Sequence, residues 1–192
     1  MIATRAALGC KLHTGWAAVV GVARLRGHIN VLLRRRIELL PPDQSVPRFV
    51  YHEAAELALA ESAKLVKRTA RAAQTAADRA LTGILEELRS GGVSIDAVGM
   101  ATGSTAVPSE LLAILASHTL IHAAEGVLFQ EAVAAACEDR GLNVIRVREK
   151  DLWSKLGIDA RKEVDSLRSL IGPPWGADQK TATAAALIAL QD

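Results

Sequence analysis

The chain has 192 residues, half of them apolar and 23% charged, which is typical of globular proteins and excludes disordered and fibrous classes. Domains usually hold about 100–200 residues, so the length predicts one domain covering residues 1–192. A formal net charge of +2 is too small to indicate nucleic-acid binding by itself. Charged residues interrupt every apolar stretch and the N-terminus lacks a secretory pattern, so we expect a cytoplasmic protein with no membrane partner.

Three β-rich segments open the chain. Small and β-branched residues run from Ala6 to Val22 with a turn at 11–15, and a further run covers 29–39 after a turn at Gly27. We expect a three-stranded antiparallel meander. The two cysteines, Cys10 and Cys137, lie far apart in apolar segments, so we expect two buried thiols and neither a disulfide framework nor a zinc motif.

An extended helical segment follows the third strand. Ser45 and Pro47 carry helix-start chemistry, and the Ala-, Leu- and Glu-rich sequence predicts a long helix or a helical pair over 47–90. A single straight helix of that length is long for a compact domain, so we expect a break near Thr69–Thr75.

The remaining chain alternates strands with helices. Strands are predicted at 95–101 and 143–147, and helices at 109–140, at 149–170 in two pieces split at Gly157, and at 178–189. A break is expected in the 109–140 helix around His118–Ala124.

Two passages resemble the ribonuclease-H-like superfamily and its RuvC-type Holliday-junction resolvases. Residues 8–20, which include Thr14-Gly15-Trp16, are similar to that family's opening hairpin, and residues 123–147 are similar to its Gly-Val helix and following strand. The resemblance implies an α/β, ribonuclease-H-like fold: a mixed five-stranded sheet, three antiparallel strands and then two parallel ones, flanked by helices.

The resemblance also implies where catalytic acids would lie. Nucleases of this superfamily hold two Mg²⁺ ions with three or four carboxylates, because two hard cations stabilise the attacking and leaving oxygens. The first position is taken here by Lys11 or Cys10, and the second lies among residues 100–102, which include no acid. Asp178 is the candidate catalytic residue, because Thr181, Thr183 and Ala184 fill the neighbouring inward positions. The pattern indicates a degenerate site.

A histidine-rich stretch offers a different kind of site. His118, His122 and Glu125 are four and three residues apart, so they share one face of a continuous helix. They are candidate ligands for zinc or another transition metal, and the alternative is a polar stripe beside the core.

Two further segments are candidate binding sites. The loop holding Thr102, Ser104 and Thr105 follows a strand and precedes a helix, where backbone amides can cradle an anion. Alternation along the third strand sends Arg34 and Arg36 to one face and Arg35 to the other. They can contact phosphate, together with Lys64, Lys67, Arg68 and Arg71 of the long helix, or form a solvated, charge-protected strand.

Three hypotheses follow. The first is a non-catalytic or atypical RuvC-like protein that binds DNA, RNA or a protein partner through Lys11, His13, Ser104 and Asp178, with no cofactor. The second is a Mg²⁺- or Mn²⁺-dependent nuclease in which Asp178 is joined by Asp96, Glu125 or Glu53. The third is a structural protein that forms a homo-oligomer through its long Ala-rich helix.

Overall fold

The computed structural model describes residues 5–191 and contains a five-stranded mixed sheet in the order β3-β2-β1-β4-β5. The first three strands form the predicted antiparallel meander, and β4 and β5 extend it in parallel beside β1. The strands are β1 Ala6–His13, β2 Trp16–Leu25, β3 His28–Glu38, β4 Ile95–Thr102 and β5 Asn143–Arg148. This is the fold class that the sequence predicts.

Helices cover both faces of the sheet. They are α1 Val50–Ala55, α2 Leu59–Ser90, α3 Leu111–Leu115, α4 His118–Glu138, α5 Leu152–Leu156, α6 Ile158–Ile171 and α7 Ala177–Ala189, with a 3₁₀ turn at Glu149–Asp151 before α5. The core on one face joins the sheet to α2 and α4, and the core on the other joins it to α6 and α7. The expected split at Gly157 between α5 and α6 is confirmed.

Side-chain alternation along β1 assigns each residue to a face. Leu8, Cys10 and Leu12 enter the core under α2 and α4. Gly9 lies directly under α7, where an added Cβ would come within 1.8 Å of the Ala182 carbonyl oxygen. Lys11 has the parity of Gly9, so its side chain emerges on the α7 face at the end of the strand.

The break in the extended helical segment lies earlier than predicted. α1 ends at Ala55 and α2 runs unbroken for 32 residues, about 48 Å, so the expected break near Thr69–Thr75 is wrong. The Ser62 hydroxyl donates to the Ala54 carbonyl at 2.7 Å, which also accepts from the Leu57 amide, and so ties α2 back to the end of α1. The break between α3 and α4 falls at residues 116–117, just before the predicted position.

α4 is apolar because it is a core helix. By length and composition alone, this helix of 21 residues could cross a membrane. However, 56% of its 18-residue apolar window is buried inside the fold. Phe129, Val133 and Cys137 pack with the sheet, and Cys10 packs in the same core from β1. Both thiols are free and buried, as expected, and burial raises the pKa of Cys137 to about 12.

The connections bring several chain segments to one rim of the sheet. Between β1, β2 and β3, His13 is paired with Trp16, and Trp16 is paired with Glu38. On the other side of β1, Lys11 is paired with Ala101 of β4, and the next residue of β4, Thr102, is paired with Arg148 of β5. We call this the carboxyl rim, because β1, β3, β4 and β5 all end there. The helices that follow β3 and β4 begin at this rim and run back across the sheet.

Because α7 lies so close to the sheet, adding a single methyl group between them should strongly lower the stability of the protein. A Cβ at Gly99 on β4 would lie 1.9 Å from the Ala185 carbonyl oxygen, so Gly99→Ala should lower the free energy of unfolding by about 1–3 kcal/mol or more. Gly83 on the exposed face of α2 has no atom within 4 Å, so Gly83→Ala should raise stability by about 0.5–1 kcal/mol. Thermal unfolding measures both. A Gly99→Ala variant as stable as the wild type would contradict the contact.

Candidate functional site at the carboxyl rim

Lys11 and His13 are the side chains that β1 presents on the α7 face of the carboxyl rim. The Lys11 ammonium donates to a carboxylate oxygen of Glu149, which begins the 3₁₀ turn after β5. The Lys11 side chain is only 18% exposed, so its charge is held inside the rim rather than in open solvent. The contact joins the central strand to the outermost parallel strand.

His13 contacts Asp178 in the first turn of α7. His13 Nε2 lies 3.0 Å from Asp178 Oδ1, and both side chains are about one-third exposed. A carboxylate is favoured there because the helix N-terminus carries partial positive charge. His13 and Asp178 are separate candidates in the sequence, and the structure brings them together.

An aromatic stack continues the rim toward β3. The His13 and Trp16 rings are parallel to within 9° at a centroid distance of 4.1 Å. The Arg36 guanidinium lies 3.8 Å from the Trp16 ring centre and donates to Glu38 at 2.6 Å. Cations and aromatic rings therefore line the rim from β1 to β3.

These residues do not fit the two-magnesium site that the fold family implies. The ammonium of Lys11 stands at the end of β1, and its neighbour on β4 is Ala101, whose methyl group cannot ligate a metal. Asp178 faces His13, and one turn later in α7 the inward position is Thr181, which is buried. Glu149 and Asp178 are the acids that contact Lys11 and His13, so each is already paired with a basic group.

The alternative acids lie elsewhere. Asp96 is near the start of β4, about 17 Å along the strand from Ala101. Glu125 is on α4, which covers the opposite face of the sheet from α7, and its carboxylate bonds to the backbone of α1. Glu53 is exposed on α1. The structure therefore does not gather these three acids around Asp178.

Arg34 has a structural use. It points to the α7 face, as alternation predicts, and donates at 2.9 Å to the carbonyl oxygens of Ile171, Gly172 and Pro174. Arg35 turns to the other face and pairs with Glu87 of α2. The guanidinium of Arg34 thus anchors the loop that leads into α7 and Asp178.

The predicted anion-binding loop lacks the helix that would complete it. Thr102 is half-buried, and Ser104 and Thr105 are exposed. The next helix, α3, begins only at Leu111 and has five residues, so no long helix follows this loop directly.

The predicted metal candidates meet a third histidine that sequence reasoning missed. His118 and His122 lie one turn apart on α4 with their Nε2 atoms 2.9 Å apart, and His52 of α1 lies against both rings. Glu125 accepts hydrogen bonds from α1 instead of joining the two α4 histidines as a ligand. His52 is 66 residues before His118, so only the packing of α1 on α4 reveals it.

Comparison with known proteins assigns the fold. No protein-family model and no curated protein matches the chain. Its fold is ribonuclease-H-like, and two similar solved structures are of a resolvase. T. thermophilus RuvC in complex with Holliday junction substrate is 14% identical with a TM-score of 0.55, covering 95% of this chain and 90% of that one. Another Thermus thermophilus RuvC structure is 13% identical with a TM-score of 0.49, covering 95% and 91%. The predicted resemblance to RuvC is confirmed at the level of the fold.

Arg34 and Arg36, both on the α7 face, form a matched pair for testing whether Arg34 stabilises the loop before α7. Arg34→Gln should lower the free energy of unfolding by about 1–3 kcal/mol, because three carbonyls lose a charged donor. Arg36→Gln breaks an exposed ion pair with Glu38 and an exposed contact with the Trp16 ring, and should cost about 1 kcal/mol or less. Denaturant unfolding of the two variants measures the difference. Equal losses would show that the loop before α7 does not depend on Arg34.

Proposed function

We propose that this protein binds nucleic acid along the carboxyl rim and does not cleave it by the two-metal mechanism. The observation that carries the proposal is the contact between Lys11 and Glu149 at the end of β1. A cationic side chain stands where the fold family needs a carboxylate, so this position attracts a phosphate rather than a magnesium ion.

The ion pairs of the rim are exchangeable. Glu149 is about half exposed, so its carboxylate can turn into solvent, whereas the Lys11 ammonium is mostly buried and stays in the rim. A phosphate oxygen can therefore take the place of the Glu149 carboxylate and keep Lys11 paired. His13 and Arg36 lie along the same rim and supply further donors.

The first half of α2 adds positive charge beside the rim. Because α2 begins there, its exposed Lys64, Lys67, Arg68 and Arg71 lie within about 18 Å of the helix start. Lys64 pairs with Glu61, whereas Lys67, Arg68 and Arg71 form no ion pair with a carboxylate of residues 5–191. Arg71 lies four residues after Lys67 and three after Arg68, so the three side chains share one side of the helix and can follow a phosphate backbone.

The similar solved structure supports the class of partner. T. thermophilus RuvC was solved in complex with a Holliday junction substrate, so this fold is able to bind branched DNA. We extend only the binding to this chain, because Lys11 and Ala101 at its strand ends cannot ligate a metal ion.

A binding titration tests the proposal. Fluorescence anisotropy with a labelled four-way junction, a duplex and a single strand should show binding at about 50 mM salt that weakens by an order of magnitude or more at about 200 mM. Lys11→Ala and the Lys67→Ala/Arg68→Ala pair should each reduce affinity and lower the salt dependence by about one unit per lost phosphate contact.

Arg24→Ala is the matched control, because Arg24 is exposed on β2 at the opposite rim. It should bind like the wild type. An absence of binding to all three DNAs at low salt, or equal losses in the control and the rim variants, would overturn the proposal.

The nuclease hypothesis is supported by Asp178 alone, which keeps a carboxylate at the start of α7. Junction cleavage that requires Mg²⁺ or Mn²⁺ and disappears in Asp178→Asn would favour it over the non-catalytic proposal.

The homo-oligomer hypothesis is supported by exposed apolar side chains around the start of α2, which are Phe49, Leu57, Leu59 and Leu112. The mass of the protein in solution distinguishes a homo-oligomer from a monomer.

A further inference from the structure

Three histidines from two helices direct their ring nitrogens to one point beside the carboxyl rim. His118 and His122 occupy the first two turns of α4, and His52 lies on α1, which packs across them. One ring nitrogen from each of the three lies within 4.8 Å of the others. Small rotations of exposed rings are enough to bring them to a common ion.

The spacing suits a tetrahedral ion. Zinc–nitrogen bonds of about 2.0–2.1 Å place neighbouring ligand atoms about 3.3 Å apart. His118 Nε2 and His122 Nε2 are 2.9 Å apart, so at least one of them must lack its proton, and both can lack it when a metal ion lies between them. The separation of four residues on a helix makes this pair rigid.

The buried carboxylate of Glu125 fixes the third ligand. Glu125 is 2% exposed, and its Oε1 accepts hydrogen bonds from the Tyr51 and His52 amides at 2.8 and 3.3 Å. The same oxygen is 3.2 Å from His52 Nδ1. With Nδ1–H donating to Glu125, His52 presents an unprotonated Nε2 on the far side of its ring. A carboxylate behind a histidine in this way orients the ring and strengthens it as a metal ligand.

The remaining oxygen of Glu125 points to a missing positive charge. Glu125 Oε2 is buried with no hydrogen-bond partner among residues 5–191. Burying a carboxylate that keeps one oxygen unpaired is costly, and a divalent ion on the far side of the His52 ring offsets part of that cost. The geometry of the histidines and the unpaired oxygen are independent observations that favour the same ligand.

We propose that His52, His118 and His122 bind a transition-metal ion, with Zn²⁺ the best match, and that Glu125 acts as a positioning residue behind His52. Three imidazole donors select zinc and its neighbours over Mg²⁺ and Ca²⁺, which prefer oxygen. His118 and His122 are exposed, so the fourth coordination position opens to solvent. The ion would fasten α1 to the start of α4.

Metal titration of tag-free, chelator-stripped full-length protein tests this site. Zn²⁺ should bind at one equivalent in competition with a chromophoric chelator, and Co²⁺ should give the visible absorption of a tetrahedral site, whereas Mg²⁺ should not compete. His118→Ala and His122→Ala should each abolish the cobalt spectrum. Glu125→Gln should retain one equivalent but weaken zinc binding by about 10–100-fold.

His28→Ala is the matched control, because His28 is an exposed histidine on β3 at the opposite rim. It should leave affinity and spectrum unchanged. Zn²⁺ should also raise the melting temperature of the wild type and of His28→Ala but not of His122→Ala, which separates metal binding from loss of folding. Zinc binding of equal affinity in the wild type and a His118→Ala/His122→Ala double variant would overturn the proposal.

Discussion

The backbone of α7 lies directly on the two central parallel strands, and the carboxyl rim depends on that contact. Gly9 and Gly99 are adjacent in register, and an added Cβ at either would run into the α7 backbone. The Ala-rich face of α7 makes the approach possible, because Ala182, Ala185 and Ala186 occupy little space against the sheet. This packing sets the first turn of α7, with Asp178, beside the end of β1.

The same packing makes the residue at position 11 decisive for the chemistry of the rim. The parity that puts Gly9 under α7 also directs Lys11 to the α7 side, into the space beside Ala101 and the Glu149 turn. A ribonuclease-H-like fold with a cation at this place keeps the shape of the rim and loses the charge that would hold metal ions. The nucleic-acid binding that we propose requires donors for phosphate along the rim and does not require bound metal ions.

Much of the fold follows from local patterns in the sequence. The alternation in β1 to β3 and the split at Gly157 each act within a few residues, so they can be interpreted without knowing the tertiary structure. The helix break at residues 56–58 could not be placed in this way. It depends on Ser62, whose hydroxyl donates to the Ala54 carbonyl eight residues earlier, and no glycine or proline marks it.

The candidate sites also contain features that local sequence patterns reveal and features that they do not. Lys11, His13, Asp178 and the α4 histidines were found because motif position or helical spacing identifies them. The pairing of His13 with Asp178, the tether of Arg34 to the loop before α7, and the approach of His52 to His118 all join distant segments. A single sequence has no local signal for such contacts, and they emerge only when helices pack on the sheet.

Anomalous diffraction from crystals grown with Mn²⁺ tests the central claim about the rim most directly. We expect no manganese between the end of β1 and the start of α7, with the Lys11 ammonium still on Glu149 and His13 still on Asp178. Two manganese ions held by Asp178 and Glu149, with Lys11 displaced into solvent, would contradict the account and indicate a two-metal nuclease.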